Sequence, residues 1–66
     1  MKVYGVFKEM MLMPYLVEVL VKLCTEKEDA NAQAYHLNQN NTDPMEEDDY
    51  GPLSGTRYLV KELEIE

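Results

Sequence analysis

The stretch Tyr15-Leu16-Val17-Glu18-Val19-Leu20-Val21-Lys22-Leu23-Cys24-Thr25-Glu26-Lys27-Glu28 decides the fold. Its first ten residues can be read in two ways. As a helix, Pro14 would sit in the first turn, and Glu18 with Lys22 would form an i,i+4 pair. As a strand, Val17, Val19, Val21 and Leu23 would line one face. Leu16, Glu18, Leu20 and Lys22 would line the other. Three valines at period two favour the strand, because β-branched side chains fit a pleated surface and crowd a helix. The quartet Thr25-Glu26-Lys27-Glu28 supports the same choice. It fits a capping box, in which the Thr25 hydroxyl accepts from the Glu28 amide and the Glu28 carboxylate reaches back. A helix that opens at Glu26 requires the run before it to end at Thr25.

Downstream, this helix should extend to about residue 40, where Asn38-Gln39-Asn40-Asn41 is poor helix and good terminator. Ala30, Ala34 and Leu37 fall at i, i+4 and i+7, a narrow face of small residues able to lie close against a sheet. Residues 41–56 read as an acidic loop. Asp43-Pro44, Gly51-Pro52 and Ser54-Gly55 are turn signals around Glu46-Glu47-Asp48-Asp49. Such a long connection in a compact domain tends to be functional or disordered. Residues 57–66 read as the last strand. Leu59, Lys61, Leu63 and Ile65 share one parity. Tyr58, Val60, Glu62, Glu64 and Glu66 share the other, whose acidic end belongs in water.

Upstream, residues 2–9 read as a first strand, rich in Val, Tyr and Phe. Gly5 in its middle points to a bulge or a close backbone approach. Met10-Met11-Leu12-Met13-Pro14 reads as an unusually apolar connection to the strand at 15–24. The expected architecture is a single α+β domain over 1–66. It has a three-stranded antiparallel sheet of order 2-1-3 and one helix on one face, in ββαβ sequence. The other face of the sheet is left uncovered.

Composition narrows the function classes. A chain of 66 residues buries only roughly 60% of its unfolded surface, so small folds add disulfides, metal, tight packing or self-association. Cys24 is the single cysteine, which removes an intrachain disulfide and a cysteine-rich zinc site. A reducing, cytoplasmic setting is the corresponding expectation. Neither a targeting segment nor a span is expected, because Pro14, Glu18 and Lys22 interrupt the apolar run. Thirteen acidic residues against six basic give a net charge of −7. Such a surface repels phosphate backbones and attracts basic proteins, and it also serves simple solubility.

The segments Lys2-Val3-Tyr4-Gly5-Val6-Phe7, Thr25-Glu26-Lys27-Glu28-Asp29-Ala30 and Tyr58-Leu59-Val60-Lys61-Glu62-Leu63-Glu64-Ile65 together resemble small uncharacterised ββαβ proteins of bacteria, phages and prophages. The resemblance is one of pattern and covers strands and helix only. It implies a bacterial or phage setting, with the host cytoplasm as the location of a phage-encoded chain, and it carries no catalytic residues.

Candidate chemistry is sparse. His36 is the single histidine, and its neighbour Tyr35 should not face it on a helix. Cys24 precedes a helix N-terminus, which can lower a thiol pKa, but a lone cysteine also serves as a small buried hydrophobe. The run Asp43, Glu46, Glu47, Asp48 and Asp49 lacks the alternating acids and the sixth-position glycine of a calcium loop. No glycine loop for phosphate and no nucleophile–base pair is present. The expectation is therefore a non-enzymatic protein-binding module without cofactor or metal. Met10, Met11, Leu12 and Met13 would be its apolar anchor. Asp43, Glu46, Glu47, Asp48 and Asp49 would be its charged rim, presented to a basic partner. A phage-type inhibitor of a nucleic-acid-binding host protein fits that description. The alternative is a homo-oligomeric structural or small-ligand-binding protein.

Overall fold

In the computed structural model the chain runs β1 (Lys2–Leu12), β2 (Tyr15–Cys24), α1 (Lys27–Gln39), β3 (Glu46–Asp48) and β4 (Gly51–Glu64). The structure describes residues 1–12, 14–48 and 51–66, with backbone alone at 47, 48 and 51–53. The ambiguous run is strand β2, antiparallel to β1. β4 lies antiparallel on the other side of β1. The three long strands therefore have the expected order, second–first–last, with one helix, and the fold is a small α+β ββαβ arrangement. β3 extends the sheet to β2-β1-β4-β3.

The expected loop over 41–56 is thus partly strand. Glu46 opposes Ser54, and Asp48 opposes Gly51. Glu-Glu-Asp has little strand preference of its own; pairing to β4 makes the strand, and pairing is not written in local propensity. The last strand also begins at residue 51, ahead of the expected 57.

The N-terminus of α1 differs from the expected capping box. The N-cap is Glu26, with φ −111° and ψ 132°, and no side chain caps it. Thr25 consequently lies outside the helix, and Asp29 rather than Glu28 occupies the third helical position. The first helical bond runs from the Ala30 amide to the Glu26 carbonyl. Glu28 and Asp29 still occupy the first turn, where carboxylates suit the positive end of the helix dipole.

Ala30 and Ala34 are buried against Val6 and Cys24, with Tyr4, Leu37, Tyr58 and Val60 packed around them. The alanine stripe does what its spacing implies: with no bulk between them, helix and sheet approach closely. Val6 and Ala30 are fully enclosed. Thirteen helical residues span about 20 Å, whereas the eleven residues of β1 span about 36 Å. The helix therefore covers only part of the sheet's length, from the level of Tyr4–Cys24 to that of Tyr58.

A bulge decides which side chains of β2 share a face. Val6 pairs with Lys22, but Phe7 pairs with Leu20, so Val21 is an extra residue. The unbroken alternation expected across β2 therefore fails at Val21. Cys24, Lys22, Val19 and Val17 share the helix side. Leu23, Leu20, Glu18 and Leu16 share the opposite face.

Two glycines have physical reasons. A Cβ on Gly5 would stand 2.6 Å from Phe7 Cε2, and 3.2 Å from Cδ1 of both Leu20 and Leu63. The crowding at Gly5 comes from side chains and not from the close backbone approach expected there. Gly55 has φ +104°, and a Cβ there would run into the Pro44 carbonyl. It lies where residues 43–45 cross β4, held by bonds from the Met45 amide to the Thr56 carbonyl and from the Thr56 amide to the Asp43 carbonyl.

Candidate functional site

Among the described residues nothing covers the face of the sheet opposite α1. That face is built from Val3, Gly5, Phe7, Glu9 and Met11 of β1, the partners of Leu63, Lys61, Leu59, Arg57 and Gly55. Leu16, Glu18, Leu20 and Leu23 of β2 complete it. Leu16, Leu20 and Leu23 remain 49%, 46% and 50% exposed. Four charges stand among these apolar groups, and they cancel in pairs. Glu9, only 5% exposed, accepts from Arg57 Nε at 2.6 Å. Lys61 binds Glu18 and lies 5.4 Å from the centre of the Phe7 ring. Buried carboxylates need such partners, because an unpaired one is costly in an apolar setting. This face is therefore apolar and electroneutral, and the whole net charge of −7 resides elsewhere.

The acidic groups collect on the helix side and at its connections. Glu26, Glu28 and Asp29 surround the start of α1, while Asp43 and Glu46 follow its end, all of them exposed. None of the five forms an ion pair among the described residues. Glu62 and Glu64 share the helix side of β4, Glu62 level with Tyr4 and Glu64 beyond it. Glu62 pairs with Lys2 at 3.0 Å, and that hydrogen bond together with the carboxylate's charge raises the Lys2 ammonium pKa above its ordinary value. Glu64 meets the N-terminal amine at 3.3 Å.

The two edges of the sheet are unlike. Along β4 the outer edge is occupied in succession as far as Tyr58. β3 pairs with its first residues, the 43–45 segment binds at Thr56, and the Asn41 side chain also donates to the Thr56 carbonyl at 2.7 Å. The Asn38 amide then binds both backbone groups of Tyr58, donating at 2.9 Å and accepting at 3.0 Å. A single side chain there takes the place of a strand. No comparable cover lies along β2. Among the described residues no hydrogen bond reaches its outer edge.

The expected apolar anchor is not a turn. Met10, Met11 and Leu12 continue β1, opposite Val17, Leu16 and Tyr15. Successive strand residues point to opposite faces, so Met10 and Leu12 lie on the helix side and Met11 on the uncovered face. Met10 and Met11 are half-buried, and Leu12 is exposed. They do not form one patch, because strand pairing persists where the sequence suggested a connection; Met13 lies outside the described residues. Of the expected rim, Asp43 and Glu46 are exposed, the backbone of Glu47 and Asp48 forms β3, and Asp49 lies outside the described residues.

His36 is exposed on α1. Contrary to expectation, the Tyr35 ring does meet it edge-on, at 5.9 Å between centroids, because side-chain rotation at exposed neighbours brings the rings together. Cys24 is buried beneath an open cleft of about 480 Å³ between the end of β2 and α1, bordered by Lys22, Thr25, Asp29 and Gln33. No group of three metal-binding side chains converges among the described residues. No helix among them is long and apolar enough to cross a membrane.

The surface that sequence reasoning missed is the leucine row of β2. Leu59 and Leu63 were legible as one parity of the last strand. Leu20 and Leu23, at odd spacing, could join them only through the bulge at Val21, and no local signal marks it. The chain matches no protein-family model, no curated protein and no solved structure.

Proposed function

We propose that this chain is a non-enzymatic protein-binding module whose acidic helix side takes a basic protein partner. The observation that carries the reading is the segregation of charge. One side of the sheet is neutral, and five carboxylates that form no ion pair among the described residues, Glu26, Glu28, Asp29, Asp43 and Glu46, gather around the ends of α1. A partner with lysine and arginine on its contact surface is recognised by charge-assisted hydrogen bonds to Asp43, Glu46 and the following acidic residues, and the same field speeds its approach. A nucleic-acid-binding protein presents such a surface to phosphate. Occupying it excludes the nucleic acid, which is how a phage- or prophage-type inhibitor of a cytoplasmic host factor would act.

The test is capture of a basic partner from bacterial lysate, followed by purified binding across a salt series. Affinity is expected to fall steeply as salt rises, and to fall about tenfold or more when Asp43, Glu46, Glu47 and Asp48 are changed together to their amides. The captured protein should lose its nucleic acid as this chain is added. Salt-independent binding, or full affinity in the amide variant, refutes the charged mechanism.

A further inference from the structure

We infer that β2 is a self-pairing edge, which joins two copies of this chain antiparallel into one continuous sheet about a two-fold axis. This edge is separate from the acidic surface, and the pairing stands independently of any partner bound there.

Three observations lead to a second copy rather than another occupant. The first is the difference between the edges. A bare strand edge is a template for pairing, and folded proteins normally blunt it with charge, proline, a bulge or a cover. β4 is covered as far as Tyr58, by β3, by the 43–45 segment and by the Asn38 side chain. β2 is ten residues long and carries only Glu18 and Lys22 as charges. Besides those two charges it has the bulge at Val21, near its end, which leaves Tyr15–Leu20 regular. Past Tyr58 the β4 edge carries Lys61, Glu62 and Glu64, so the longest free stretch low in charge is β2, and β2 on β2 is an isologous contact that stops at two.

The second observation is charge. Two chains of net −7 repel, yet β2 brings one carboxylate and one ammonium, and Glu18 is already bound to Lys61. The self-contact is made where repulsion is least. The third is the small core. Val3, Val6, Cys24, Ala30 and Ala34 are the buried hydrophobic residues among those described, and a chain of this size without disulfide commonly completes its burial by association. Side-by-side pairing over Tyr15–Leu20 brings Leu16 and Leu20 of the two copies together. A patch exposed on each copy becomes the middle of a six-stranded apolar face.

Sedimentation equilibrium on the intact chain from low to high micromolar concentration is expected to show a reversible monomer–dimer equilibrium. Hydrogen exchange on the same samples should slow at the amides of Tyr15–Leu20 as concentration rises, while α1 amides stay unchanged. Val19→Lys, on the edge but on the helix side, should shift the midpoint at least tenfold toward monomer. Leu63→Lys, on the uncovered face but away from the edge, should leave it within about twofold. A monomer throughout the range overturns the inference. So does a dimer that Leu63→Lys dissociates and Val19→Lys does not, which would place the contact face to face. Should Val19→Lys misfold by circular dichroism, the exchange of β2 amides in the unaltered chain decides alone.

Discussion

Two glycines show how single residues set the limits of this fold, for different reasons. At Gly5 the obstacle is space: an added methyl meets the Phe7 ring and two leucine tips. These are ends of side chains and can shift, so Gly5→Ala should cost about 1–2 kcal/mol by overpacking. At Gly55 the obstacle is backbone, since φ is +104° and the Pro44 carbonyl stands in the way. Neither can yield cheaply, so Gly55→Ala should cost more, about 2–4 kcal/mol, from strain and displacement together. Urea unfolding of the two variants checks the order; equal losses would deny the distinction. A glycine inside an apolar strand marks a bulge or a close backbone approach, so Gly5 was legible as a special position, but its crowding by side chains was not. Gly55 was not legible in that way. Ser54-Gly55 reads as a turn, and its real setting, a strand crossed by a segment ten residues upstream, is a tertiary fact.

At the scale of the element, the helix carries its information in two places, one readable and one not. The alanine spacing announced the buried stripe, because small residues at i, i+4 have a clear packing consequence. The capping box was also well formed in sequence, yet the helix starts one residue later, with Glu26 uncapped. Cap motifs compete with the geometry of the chain leaving β2, and the sequence holds no record of that angle. The C-terminal end is tied to β4 through Asn38. Asn38→Ala should leave the Tyr58 amide and carbonyl without that partner and cost about 1–2 kcal/mol. Hydrogen exchange should show the Tyr58 amide opening faster, with the β1 amides of Val3 and Gly5 little changed. An unaltered Tyr58 amide would mean that water replaces the asparagine at no loss. Bulges and short pairings, such as Val21 and β3, escape a reading by period for one reason: each is settled between strands and not within one.

As a whole the molecule is a slab, 37 × 25 × 18 Å, with leucines and paired charges on one broad side and the carboxylates of Glu26, Glu28, Asp29, Glu62 and Glu64 on the other. Self-repulsion among those carboxylates opposes the compact state, and added salt screens it. The melting temperature should therefore rise by several degrees between about 10 mM and about 200 mM sodium chloride, read by circular dichroism, since about 1 kcal/mol shifts a domain of this size by roughly 4–8 °C. A fall in melting temperature would show that the ion pairs Glu9–Arg57 and Glu18–Lys61 outweigh the repulsion. Order of strands, presence of the helix and the open sheet face were legible from hydrophobic period and connection length. The division of charge between the two sides was not, since it depends on which parity the helix selects. The thinness of the slab has a consequence for descent. Nearly every position touches water, so packing constrains few of them. A lineage of this protein can replace most of its letters while Gly5, Val6, Ala30, Ala34 and Gly55 stay fixed. Those small side chains are where packing would keep common ancestry visible.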